Sequence, residues 1–255
     1  SMAAPTILNH GTEEQKRRFI APLLSADEIW CQGFSEPNAG SDLANAQASA
    51  VRDGDNWVIN GHKVWTSLAH FASWMIMVTR TSNDHKYNGL TYFIVPIANT
   101  KGVTVRPLIK ITGETGFNEV LFEDVVVPDS YRVDDIGKGW TVAMTTLLYE
   151  RGAAEGAGSG GGISLDERVA QLIDLAKRCR RDGKPAWDDP IIRDRVAGLA
   201  IRVEGMRQVH RRSRVEALTD HPMRLPLQAK VTVSELMQDI AAAALEIEGP
   251  ASSLY

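Results

Sequence analysis

The sequence predicts an α+β multidomain chain, in which an antiparallel β domain, a barrel or a sandwich, precedes part of an antiparallel α-helical bundle. Three observations predict it. Between residues 28 and 130, seven short runs rich in β-branched and aromatic residues follow one another, separated by turn residues and never by a helical period. Beyond Pro128 the apolar positions recur at helical spacing through four long segments rich in Ala, Leu, Arg and Glu. The 255 residues are 44% hydrophobic, enough for one large or two smaller cores without a disulfide or metal staple.

The elements follow in order. Thr12 with Gln15 three residues on forms a capping box that opens a short helix to about residue 24. The strand-like runs are 29–34, 46–51, 57–60, 74–79, 91–95, 103–107 and 120–127. Asp53-Gly54-Asp55, Asn60-Gly61, Asn88-Gly89 and Lys101-Gly102 punctuate them, and Asp-Gly and Asn-Gly pairs favour tight turns. The helical segments are 140–155, 165–181, 190–218 and 227–247. The expected domains are therefore 1–26, a helical end; 27–132, the β domain; and 133–255, a partial helical domain. Ser1-Met2 resembles a protease scar, and the chain is expected to be a piece of a longer protein.

Composition excludes several classes. With 28 Lys+Arg against 32 Asp+Glu the net charge is −4, and no basic face marks a nucleic-acid binder. The basic run Lys177-Arg178-Cys179-Arg180-Arg181 reads as a solvated helix end. The longest apolar stretches fall short of the roughly 20 residues of a bilayer span, so no membrane span is expected. No signal-peptide pattern is visible, and a cytoplasmic location is expected if the protein is bacterial. Cys31 and Cys179 are isolated, and the six histidines lack ligand spacing, so no metal site is expected.

Gly156-Ala157-Gly158-Ser159-Gly160-Gly161 spells G-x-G-x-x-G, but a helix precedes it where a dinucleotide fingerprint requires a strand. A flexible turn or a close backbone approach explains it better. Two other segments carry more chemistry. Phe34-Ser35-Glu36-Pro37-Asn38-Ala39-Gly40-Ser41-Asp42 is a polar loop leaving a strand, with hydroxyls and amides to meet the polar edge of a ligand. In Asn60-Gly61-His62-Lys63-Val64-Trp65-Thr66-Ser67 a strand-end Trp precedes two hydroxyl residues. An aromatic face beside hydrogen-bond donors suits a flat heteroaromatic cofactor, and a core Trp is the plainer alternative.

These segments resemble the acyl-CoA dehydrogenase family. Trp30 to Asp42 is similar to its strand and E-P-x-A-G-S-D loop, and Asn60 to Ser67 to its N-G-x-K-x-W-[IT]-[TS] segment. Gly113, Val120-Leu121-Phe122 and the run from Val125 to Pro128 resemble the close of its β domain. Gly137-Lys138-Gly139-Trp140 is similar to the G-x-G-[FW] that opens its first carboxy-terminal helix. The order is kept along nearly the whole chain. Against the family pattern, most of the amino-terminal helical domain and the last carboxy-terminal helices are missing.

The resemblance implies FAD and removal of hydrogens from Cα and Cβ of an acyl-CoA thioester, giving the trans-2-enoyl-CoA. By it, Phe34 and Ser35 lie along the flavin, Trp65 packs on the ring, and Thr66 and Ser67 offer hydroxyl and backbone donors. Ser41 meets the pyrophosphate and the pantetheine of CoA. The base is a Glu at one of two places, Glu150 or a position beyond Tyr255, with Tyr149 and Arg151 beside the substrate. The small residues 152–162 leave room for a long or bulky acyl chain, or serve helix packing. The stretch from Cys179 to Lys184 departs from the family's R-K-x-F-G-[KR], which puts an intersubunit flavin contact in doubt. The implied partners are the acyl-CoA, an electron-transfer flavoprotein or similar acceptor, and further subunits in a homo- or hetero-oligomer. The isolated fragment is expected to be inactive. The alternatives are a non-catalytic partner subunit and a flavin oxidase or monooxygenase on the same scaffold.

Overall fold

Turn chemistry and the two-residue period of a strand organise the first part of the chain. The computed structural model describes residues 2–156, 164–212, 215 and 224–253, which divide into two compact units, Ser1–Tyr149 and Glu150–Tyr255.

The first unit opens with α1 (Ala3–His10) and α2 (Glu13–Leu24). The capping box is formed: Gln15 N–H donates to Thr12 Oγ1 at 3.2 Å, and Thr12 N–H to Gln15 Oε1 at 3.1 Å. The same Gln15 amide donates to the Ser130 and Arg132 carbonyls, so a local cap also ties the helix to a strand end.

Eight strands follow, β1 (Trp30–Gly33), β2 (Ser49–Asp53), β3 (Asn56–Ser67), β4 (Trp74–Arg80), β5 (Leu90–Pro96), β6 (Val103–Ile109), β7 (Thr115–Pro128) and β8 (Arg132–Val133). Their order is β6-β7-β3-β2-β4-β5-β8, with β1 beside β4. Pairing is antiparallel except that β1 and β2 each run parallel to β4, and β2 touches β4 through the single pair Ser49 and Arg80. That narrow joint lets the sheet fold over on itself. Trp57, Ile59, Val120, Phe122, Val125 and Val127 from β3 and β7 share one core with Met75, Met77, Phe93 and Val95 from β4 and β5. The other face of β4 and β5 (Ile76, Val78, Leu90, Tyr92, Ile94) packs with Ile7, Phe19, Val142 and Ala143 in a second core. Strands buried on both faces read as unbroken apolar runs, as β4 and β5 do. Among the described residues the edge strands β6 and β8 do not pair, so the sheet is not a closed barrel.

Asn60-Gly61, expected as a turn, lies inside β3 at a register shift between Ile59 and Gly61. The glycine serves a close approach instead: a Cβ there would sit 2.4 Å from Ala48 Cβ and 2.7 Å from its Cα. Gly61→Ala should therefore destabilise the unit by about 1–3 kcal/mol, the usual cost of overpacking, read as a lower urea midpoint at unchanged slope. Gly54, by contrast, does form the β2–β3 turn, at φ 58°.

The helix α3 (Gly139–Gly156) runs across the boundary into the second unit. There α4 (Leu165–Arg178), α5 (Pro190–Arg212) and α6 (Arg224–Glu248) share a core that includes Leu172, Ala176, Val196, Leu199, Leu236, Ile240 and Ala243. The helix expected to reach residue 181 stops at Arg178, because Asp182 and Gly183 both take left-handed angles (50° and 80°) and close a small hairpin of β9 (Arg180–Arg181) and β10 (Lys184–Pro185). Past Gly156 the glycine-rich run lies outside the described residues. No described helix is long and apolar enough to cross a membrane, and no described group of three His, Cys, Asp or Glu is placed to hold a metal ion.

Candidate functional site

The loop after β1 is built on a buried ion pair. Glu36 and Ala39 exchange two backbone hydrogen bonds, 2.8 and 3.1 Å, which makes Pro37-Asn38 a tight turn. The Glu36 carboxylate accepts from the Gln47 and Ala48 backbone amides at 2.7 and 2.9 Å and from Lys63 Nζ at 2.7 Å. Lys63, with no exposed surface, sends its other two N–H groups to the Phe34 and Val78 carbonyls at 3.2 and 2.8 Å. All three ammonium donors are thus used. Burial pushes the Lys63 pKa down, and the Glu36 carboxylate opposes that shift. Val64 N–H donates to the Ser35 carbonyl at 2.9 Å, so the loop and β3 are stitched side by side.

This brings the two motif segments together by residues that sequence reasoning passed over. Glu36 stands inside the first motif and Lys63 inside the second, and the signal available was Lys63, a charge in phase with the inward Trp57 and Ile59 of β3. Charged side chains are almost never fully buried unless paired.

The strand end beyond Lys63 is irregular. The β3–β7 register shifts between Lys63 and Thr66, and Trp65 takes φ 58°, a left-handed angle costing a non-glycine residue on the order of 1–3 kcal/mol. The indole is turned outward, 62% exposed, with Phe117 edge-on at 6.0 Å. Strain of this kind clusters at ligand-binding positions. Ser67 is exposed beside it and Ser35 half-buried. Thr66 points inward with no exposed surface; its Oγ1 has no partner, and its carbonyl accepts from Asn118 Nδ2 at 3.0 Å.

The remaining expected residues are placed as follows. The Phe34 ring is buried and meets Tyr92 edge-on at 5.9 Å, so its side chain belongs to the core. Ser41 is exposed at the far end of the loop. Tyr149 and Glu150 are exposed on α3, and the Tyr149 hydroxyl accepts from Asn9 Nδ2 at 3.2 Å. The Arg151 side chain lies outside the described ones. A cavity of about 660 Å³ lined by His70, Phe71, Val105 and Asn118 among others opens nearby, but none of the expected site residues lines it. What the geometry assembles is an outward indole, a neighbouring hydroxyl and the main chain of Ser35, held by a rigid clamp. Such a set can cover one face of a flat ring and bond its edge.

Comparison with known proteins adds the context. The middle-domain profile of acyl-CoA dehydrogenases matches residues 31–125, and the profile of their C-terminal domain matches residues 137–254. The acyl-CoA dehydrogenase IpdE1 of Mycobacterium tuberculosis is 42% identical over 207 residues, 81% of this chain and 51% of that protein. The chain thus spans about half the length of that curated relative. Among solved structures, the "Tcur3481-Tcur3483 steroid ACAD" superposes with a TM-score of 0.83 at 28% identity, over 98% of this chain and 63% of that one. The ChsE4-ChsE5 complex from Mycobacterium tuberculosis gives 0.83 and 28%, over 98% of this chain and 64% of that one. The chain belongs to the acyl-CoA dehydrogenase family, of whose fold it holds the sheet domain and helices of the C-terminal domain.

Proposed function

We propose that this chain belongs to an FAD-dependent dehydrogenase that converts an acyl-CoA thioester to its trans-2-enoyl-CoA. The observation that carries the reading is the clamp of Glu36 and Lys63, which sets Ser35 beside a strained strand end whose Trp65 indole and Ser67 side chain face outward. The residues fit a flavin. A large exposed indole held at a costly backbone angle gains a purpose as a stacking surface, and Ser35, Ser67 and the Thr66 main chain offer polar groups at the ring edge. Phe34 contributes through the core that supports the loop, and Ser41 through the hydroxyl it presents to phosphate or pantetheine.

In the reaction, Glu150 takes the α-proton of the thioester as the Cβ–H bond breaks, so a Cα–Cβ double bond forms and two hydrogens leave as a proton and a hydride. FAD, when bound, supplies the hydride acceptor. Tyr149 and Arg151 orient the thioester for Glu150. The likeness to a structure named as a steroid ACAD favours a bulky polycyclic acyl group, and the likeness to the ChsE4-ChsE5 complex favours a hetero-oligomer. Reoxidation falls to an electron-transfer flavoprotein or a similar acceptor.

Flavin binding is tested first. Full-length protein should purify yellow. Trp65→Ala should weaken FAD binding about tenfold to a hundredfold, since burying one aromatic face is worth about 1.5–3 kcal/mol. Flavin content by absorbance checks this. Colourless wild-type protein that ignores added FAD points to a non-catalytic partner subunit.

A further inference from the structure

Helix α1 has no part in the clamp, yet three of its residues meet one turn of α3. Thr6 Oγ1 lies 2.9 Å from Thr146 Oγ1, and the Tyr92 hydroxyl lies 3.0 Å from the same Thr146 oxygen. None of these three side chains has exposed surface. Thr6 Oγ1 also reaches the Met2 carbonyl at 2.9 Å and Thr146 Oγ1 the Val142 carbonyl at 3.1 Å, so the three hydroxyls form one buried network anchored on two backbone carbonyls. Four residues on from Thr6, His10 stands between two partners. Its Nδ1 is 2.9 Å from Asp134 Oδ2, and its Nε2 is 2.9 Å from Thr145 Oγ1. A carboxylate only accepts, so Nδ1 carries a proton and Nε2 faces the hydroxyl. Asn9 Nδ2 donates to the Pro5 carbonyl at 2.7 Å and to the Tyr149 hydroxyl at 3.2 Å.

Carboxylate, imidazole and hydroxyl in this order resemble a nucleophile relay. Thr145, however, sits within α3 and also reaches the Thr141 carbonyl one turn back, where a helix interior offers no free backbone N–H to an oxyanion. The arrangement is a tether.

We propose that Asn9 and His10 are positioning residues for Tyr149: α1 grips the start of an α3 turn through Thr145 and Thr146 and its end through the Tyr149 phenol. Residues three and four apart share a helix face, so Thr145, Thr146 and Tyr149 lie on the side turned to α1. The grip fixes the direction in which the phenol points. It rests on the reading of Tyr149 as a substrate contact.

Two experiments on full-length protein separate the grip from that reading. The first is a double-mutant cycle of Asn9→Ala and Tyr149→Phe, read as KM for an acyl-CoA. Each single variant should raise KM about two- to tenfold with flavin content unchanged, and the double variant should match Tyr149→Phe alone. Additive effects, or an unchanged KM in Asn9→Ala, overturn the proposal. The second needs no turnover: amide hydrogen exchange across residues 145–149 should quicken several-fold in His10→Ala and recover in His10→Gln, which keeps a hydrogen-bonding side chain. Exchange equal to wild type in His10→Ala overturns the proposal even if the protein turns over no acyl-CoA. Failure of wild-type turnover alone counts against the functional reading, and the exchange result then decides the grip.

Discussion

Lys63→Met is expected to cost the first unit about 3–5 kcal/mol. Removing one member of a buried pair leaves the other charge without compensation. Here the Glu36 carboxylate, 8% exposed, would keep only its two backbone donors, and the Phe34 and Val78 carbonyls would each lose a buried donor. At about 2–4 °C per kcal/mol for a chain of this size, the midpoint of thermal unfolding should fall by about 6–20 °C. Flavin should be lost with it, because the clamp is what sets Ser35 beside Trp65. Glu36→Gln keeps one acceptor oxygen but sets its NH2 group against the Gln47 or the Ala48 amide, and should also destabilise the unit. A Lys63→Met protein that melts within about 2 °C of wild type and stays yellow would contradict the account of the clamp.

The clamp also marks the limit of what the sequence made legible. Local signals were read correctly: the Thr12 and Gln15 capping box is formed, and each of the seven expected strand-like runs overlaps a strand. Each depends on residues a few positions apart. Asn60-Gly61 was read as a turn because Asn-Gly favours one, whereas the glycine answers to Ala48, just ahead of the neighbouring strand β2, which no local pattern displays. Asp182-Gly183 failed in the opposite direction, since a helical composition masked a turn pair. At the site, the residue types at Trp65 and Ser67 suggested a ring-binding edge. The outward indole follows from a register shift between Lys63 and Thr66, a consequence of pairing with β7 and not of the segment itself. Phe34 looks like a ligand residue in its motif, but β5 supplies Tyr92 to bury it. Glu36 and Lys63 are 27 residues apart, and their union depends on β1 and β3 lying together.

The largest effect is expected at Glu150. Glu150→Gln keeps the size and hydrogen-bonding reach of the side chain and removes its ability to take a proton. An exposed helix position tolerates the change, so folding and flavin spectrum should survive. A positioned general base contributes about 10²–10⁴-fold, and loss of that order should appear in the rate of flavin reduction, with substrate binding little altered. The most direct measurement is anaerobic stopped-flow bleaching of the flavin in full-length protein, wild type against Glu150→Gln, mixed with straight-chain, branched and steroid acyl-CoAs. The account predicts rapid bleaching by at least one acyl-CoA in wild type and bleaching slowed by about 10²-fold or more in the variant. Equal rates in the two proteins would contradict it, because the proton would then be taken by another group and Glu150 would be an ordinary surface residue of α3.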